Sequence, residues 1–114
     1  MSRSFNFNVS ILLVREEDRW VAQCLDYDIA AQGRSLSDVK QAFAKMFIGQ
    51  ILVDLHHSVE PLSTFSRAPE KYWKQFEHAE RLADKQPFLM PQSALPSGSP
   101  YMVKAMASDL RIAA

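Results

Sequence analysis

Phe5-Asn6-Phe7-Asn8-Val9-Ser10-Ile11-Leu12-Leu13-Val14 is the stretch whose reading decides the fold. Phe5, Phe7, Val9, Ile11 and Leu13 alternate with Asn6, Asn8 and Ser10, so one face is apolar at a period of two. Successive side chains of an extended strand point to opposite faces, and this pattern is a strand with one buried side. Leu12 and Val14 add apolar surface to the second face near its end.

Outward from that run, Arg15-Glu16-Glu17-Asp18-Arg19 is charged with mixed sign and reads as a solvated turn. Trp20 to Leu25 is a second run of strand formers, and so short a link implies an antiparallel hairpin. Asp26-Tyr27-Asp28 interrupts it, Ile29-Ala30-Ala31-Gln32 reads as a short third strand, and Gly33 ends that strand. Ser35 opens a helix, with Asp38 three residues on as a capping-box variant at the positive end of the helix dipole. Leu36, Val39, Phe43 and Met46 form one stripe of this helix, and Phe47, Ile51 and Leu55, then Ile48 and Leu52, form others. Its second half is therefore apolar nearly all round and must be covered on more than one side, by the C-terminal part of the chain or by a second subunit. Gly49 inside it costs about 1 kcal/mol relative to alanine, for which close helix packing is one reason.

Pro61 and Pro69 bracket a loop, and Pro69 suits the first position of a second helix. Tyr72, Trp73, Phe76, Ala79, Leu82 and Ala83 recur at helical spacing and predict an amphipathic helix ending near Lys85. Prolines 87, 91, 96 and 100, with Ser97-Gly98-Ser99, predict an exposed connector. Ser99-Pro100 resembles a helix start, whereas Leu110 and Ile112 alternate with Asp109 and Arg111 and favour a strand near 109–113. The expected organisation is an α+β domain over 1–86, a connector over 87–100, and a segment over 101–114 that packs as a strand on the same domain or on a partner subunit. The expected sheet is antiparallel with three to four strands, packed by a long helix and a second helix.

The chain has 114 residues, enough for one core, and 47% of them are hydrophobic. Thirteen basic residues balance thirteen acidic ones, so no net field draws the chain to nucleic acid or an anionic membrane. Direct DNA binding is not expected. The lone Cys24 fits a reducing compartment. No segment reads as a signal peptide or approaches the ~20 apolar residues of a membrane span. The expected location is cytoplasmic.

From Val9 to Phe47 the chain resembles the HicB antitoxin family. The residues that carry the resemblance are Trp20-Val21-Ala22-Gln23-Cys24-Leu25-Asp26, then Gln32-Gly33-Arg34-Ser35-Leu36-Ser37-Asp38-Val39. They give, in order, an aromatic-Val-Ala-x-Cys strand, an Asp, a Gln-Gly pair, a Ser cap and a helix. The resemblance implies a three-stranded meander carrying a helix, related to a truncated ribonuclease H-like fold. It further implies a protein that neutralises a small ribonuclease toxin of the HicA type by covering its active site. Two features depart from the family pattern. Leu25-Asp26-Tyr27-Asp28-Ile29 holds no proline or glycine where many members have a Pro-Asp-Leu-Pro-Gly turn, and no basic DNA-binding segment follows Phe47.

Ribonuclease H-like enzymes use several carboxylates to hold two metal ions. Asp26 and Asp28 could point the same way in an extended segment, but Glu16, Glu17 and Asp18 lie at the opposite end of the hairpin. Turn chemistry explains the pair better. His56 and His57 diverge by about 100° on a helix and do not chelate one metal. Cys24, mid-strand beside Trp20 and Ala22, reads as a small core hydrophobe. Tyr72, Trp73 and Phe76 could stack bases, but their spacing fits a core face. No catalytic residue, metal ligand or cofactor is expected.

The expected function is that of a HicB-like antitoxin-type binding protein, with Asp26, Tyr27 and Asp28 contacting a protein partner such as a HicA-like toxin. An alternative is an orphan scaffold, a homo-oligomer built on Phe47, Ile48, Ile51, Leu52 and Leu55. A third is a degenerate metal-dependent nuclease.

Overall fold

The computed structural model describes residues 3–83, 85–98 and 101–113. The first strand, β1 (Arg3–Glu16), runs the length of the sheet and buries Phe5, Val9, Ile11 and Leu13 on one face. Its turn is tight, Glu17-Asp18, and Glu17 takes a left-handed conformation (φ 55°). Strand β2 (Arg19–Cys24) returns antiparallel, with Ile11 opposite Cys24 and Glu16 opposite Arg19. Strand β3 (Ala30–Gly33) pairs antiparallel with β2, from Trp20 opposite Gly33 to Gln23 opposite Ala30.

The helix α1 (Leu36–His56) begins where the sequence places it: the Ser35 hydroxyl accepts the Asp38 N–H at 3.0 Å. Gly33 is required by the approach of this helix, because a Cβ there would lie 2.6 Å from the backbone nitrogen of Val39. Val39, Phe43, Phe47, Ile51 and Leu55 descend from α1 onto the apolar face of the sheet. The meander is thus roofed by the long helix, as the sequence pattern requires.

The remainder is richer in strands than expected. Helix α2 (Glu70–Glu77) has only eight residues and does not extend to Lys85. It covers the second face of β1 at one end, where Leu12, Leu25, Ala68 and Phe76 form a smaller core. Beyond it, β4 (Glu80–Arg81) and β5 (Gln86–Phe88) pair antiparallel with β6 (Tyr101–Ala113). The expected connector therefore contributes a strand and a 3₁₀ turn at Gln92–Ala94, while the helix start read at Ser99-Pro100 lies outside the described residues.

Strand β6 is far longer than the segment expected at 109–113. It lies parallel to β1, with Arg3 opposite Tyr101 and Val14 opposite Ala113. The register slips between Val9 and Ser10, which face Ala107 and Asp109, so Ser108 is an extra residue on β6. That bulge moves the buried set from Val103, Ala105 and Ala107 to Leu110 without turning the strand over. The sheet is mixed and six-stranded, in the order β3-β2-β1-β6-β4 with β5 also beside β6. The α+β class holds. The purely antiparallel sheet of three to four strands does not, because the C-terminal segment inserts beside β1.

Candidate partner-binding site

The segment 25–29 is a joint between three parts of the chain. Where β2 parts from β1, the Leu25 N–H donates to the Ser10 carbonyl at 3.0 Å, and the Ser10 N–H donates to Asp26 Oδ1 at 2.7 Å. Asp26 therefore supplies an acceptor for Ser10 beside the β6 bulge. Tyr27 turns inward, its ring 6.2 Å from both Phe7 and Phe47. Burial, helped by the Asp26 charge, raises the Tyr27 pKa above its ordinary value. Asp28 is exposed, and its Oδ1 accepts the buried Gln23 amide at 2.9 Å. The Asp28 N–H donates to the Ser66 carbonyl and the Ala68 N–H to the Leu25 carbonyl, so the joint is also tied to the loop before α2.

The three residues expected at a partner contact thus divide. Asp26 and Tyr27 hold the fold, and Asp28 alone of the three is exposed. The two carboxylates serve different partners and do not converge. Replacing Asp26 with alanine strands the Ser10 N–H and is expected to cost about 1–2 kcal/mol, whereas asparagine keeps an acceptor and should cost less. Urea unfolding of the two variants checks this; an alanine variant as stable as the wild type would mean that the Ser10 bond contributes nothing.

Cys24 is buried, and burial is the main cause that pushes its thiol up to about 11. A thiol so hard to ionise is a poor nucleophile. His56 Nε2 lies 2.8 Å from the Ala94 carbonyl, and His57 Nδ1 lies 3.0 Å from that of Val53, so the two rings are engaged separately. Among the described residues no three of His, Cys, Asp and Glu gather as a metal site. Asp109 accepts from Arg81 at 2.8 Å and from Arg111 at 3.2 Å, and the Arg81 bond is the chief cause holding its carboxyl below the usual range. Arg111 also donates to the Phe76 carbonyl and lies over that ring, so this cluster fastens α2 to β6.

Phe47, Ile48, Ile51 and Leu55, expected at an oligomer contact, are buried in the chain's own core, and Leu52 is half-buried against it. The Phe88 ring of β5 lies tilted against that of Phe47, 5.6 Å between centroids, and Leu62, Met90 and Leu95 pack around the same cluster. The chain itself covers this side of the helix, with β5 and the segments around Leu62, Met90 and Leu95.

A surface the sequence reading did not find lies on the second face of the sheet. Helix α2 covers Leu12 and leaves the other end bare. There Asn6 sits opposite Lys104, and Asn8 opposite Met106, which in turn faces Pro87. With Leu89 and Met102 they line an open groove of about 560 Å³. Leu89 is 88% exposed and Met102 56%. Lys104 is the one charged side chain in the lining. Such a groove can bind by shape and apolar burial, with asparagine amides for orientation.

Comparison with protein-family models, with curated proteins and with solved structures finds no match to this chain. No helix among the described residues is long and apolar enough to cross a membrane.

Proposed function

We propose that this chain is a HicB-like, antitoxin-type binding protein that occludes a protein partner of the small ribonuclease toxin class. The observation that carries the reading is the groove beside β6, where Leu89 and Met102 stand in solvent above an otherwise uncovered sheet face. Exposed large apolar residues grouped around a concavity mark an interaction surface. The order of the motif residues supports the family part of the reading. Trp20 to Asp26 forms β2 and its exit, Gly33 admits the helix, and Ser35 caps it. Occlusion needs complementarity and not catalytic groups.

The test is co-expression of the chain with a HicA-type ribonuclease toxin, reading growth rescue and co-purification. Wild type is expected to rescue and to co-purify. Leu89→Asp is expected to leave the melting temperature nearly unchanged, since the side chain is exposed, and to weaken capture at least about tenfold, in the range of a lost apolar anchor. No rescue by wild type, or full capture by Leu89→Asp, would reject the reading.

A further inference from the structure

The two edges of the sheet are finished differently. The outer side of β6 is occupied by β4 and β5, with the charged Glu80 and Arg81 and the proline Pro87 on these outermost strands. The outer side of β3 pairs with no strand among the described residues. Residues 30–33, Ala-Ala-Gln-Gly, form a short edge with no lysine, no proline and no inward-pointing charge to guard it.

Beside this edge α1 presents an apolar flank. Met46, Gly49 and Val53 are spaced i, i+3 and i+7 and share one side of the helix. Met46 is 48% exposed and Val53 50%. A Cβ on Gly49 would meet nothing within 4 Å, so close packing inside the chain does not account for this glycine. Met46 lines the same shallow depression as Asp28, Ala30 and Phe65, which makes strand edge and helix flank one continuous surface.

The ends of that edge carry opposite charges, and they do so symmetrically. Asp28 lies three residues before Ala31 and Arg34 three residues after it, and both are exposed. Antiparallel pairing of two β3 strands centred on Ala31 sets Asp28 of each copy opposite Arg34 of the other. Parallel pairing would set like charges side by side. The edge is therefore self-complementary about a two-fold axis.

We infer that a second copy of this chain docks on the β3 edge, the two β3 strands pairing antiparallel about Ala31. The two-fold axis stands perpendicular to the sheet, so both α1 helices lie on the same side and their Met46–Val53 flanks meet across it. Backbone hydrogen bonds join the sheets, two Asp28–Arg34 contacts fix the register, and the helix flanks supply the apolar burial. This inference does not depend on the groove beside Leu89, which lies on β5 and β6 at the other side of the sheet.

Light scattering on the full chain over rising concentration reads the mass directly, and a dimer is expected. Arg34→Asp changes both symmetric contacts and is expected to weaken the dimer at least about tenfold. Asp28→Arg should do the same, and the two weakened variants should pair with each other when mixed, because mixing restores opposite charges at both contacts. If Asp28→Arg fails to fold after losing its Gln23 bond, Met46→Glu takes its place as a second exposed change expected to weaken the dimer. A chain that stays monomeric to millimolar concentration overturns the inference, as does a dimer whose affinity survives both Arg34→Asp and Met46→Glu.

Discussion

Replacing Phe47 with alanine is expected to remove about 3–5 kcal/mol of folding stability. Phe47 is fully buried, and its ring touches four others: Phe7 at 6.1 Å, Tyr27 at 6.2 Å, and Phe43 and Phe88 each at 5.6 Å. These rings come from β1, from the joint after β2, from α1 itself and from β5. No single element can move in to fill the void, so most of the cavity term stays unrelieved. A domain of this size has a total stability of about 5–15 kcal/mol, so the variant would sit near the edge of folding. Urea unfolding reads the loss as a lower midpoint at an unchanged slope. Met46→Ala, on the same helix but 48% exposed, is the control and should cost well under about 1 kcal/mol in the isolated chain. Similar losses for the two would mean that α1 does not roof the sheet as described.

Asp54→Ala is expected to cost about 2–3 kcal/mol, although it removes a polar residue from an apolar helix. Asp54 is buried near the end of α1, and its Oδ2 accepts the Leu62 N–H at 2.8 Å while Oδ1 accepts the Gln50 amide at 3.1 Å. Its backbone carbonyl also accepts the Val59 N–H. Leu62 takes a left-handed conformation (φ 65°), which a leucine adopts reluctantly, and its side chain is buried in the main core. The carboxylate holds that turn closed. Without it a buried N–H is left unpaired and nothing offsets the backbone strain. Asp54→Asn keeps one acceptor and should retain more than half of the stability lost in the alanine variant. Amide exchange at Leu62 is the direct readout, with protection expected to fall in Asp54→Ala; unchanged protection would show that the turn is held by other contacts.

The meander and the helix were legible because each residue reports one environment. Phe5 to Ile11 alternates cleanly, Ser35 caps the helix, and Gly33 stands where only a bare Cα clears Val39. The second helix is shorter than its sequence period, which Ala79, Leu82 and Ala83 continue by chance. The chain leaves the helix at His78, and the Leu82 N–H bonds instead to the Leu110 carbonyl of β6. Strand β6 was half hidden for a different reason. Its inward side chains are partly alanines, a weak signal, and Ser108 shifts the alternation by one, so the apolar phase before the bulge does not match the phase after it. The groove is not legible locally because Met102, Lys104 and Met106, alternate residues of one strand, meet Asn6 and Asn8 only through pairing with a strand nearly a hundred positions earlier in the chain. Asp26, expected at a partner contact, accepts the Ser10 N–H. Its bond to Ser10 depends on where β2 separates from β1, which local sequence does not encode.

The side-by-side arrangement of β1 and β6 has a consequence for synthesis. The first strand leaves the ribosome well before β6 and waits, with Phe5, Val9 and Ile11 unsheltered on one flank, until residues 101–113 follow. The whole of the intervening chain must be made before that central pair can zip. Nascent molecules therefore pass through a sticky interval whose length is set by translation speed, and a pause between the codons of the two strands would prolong it.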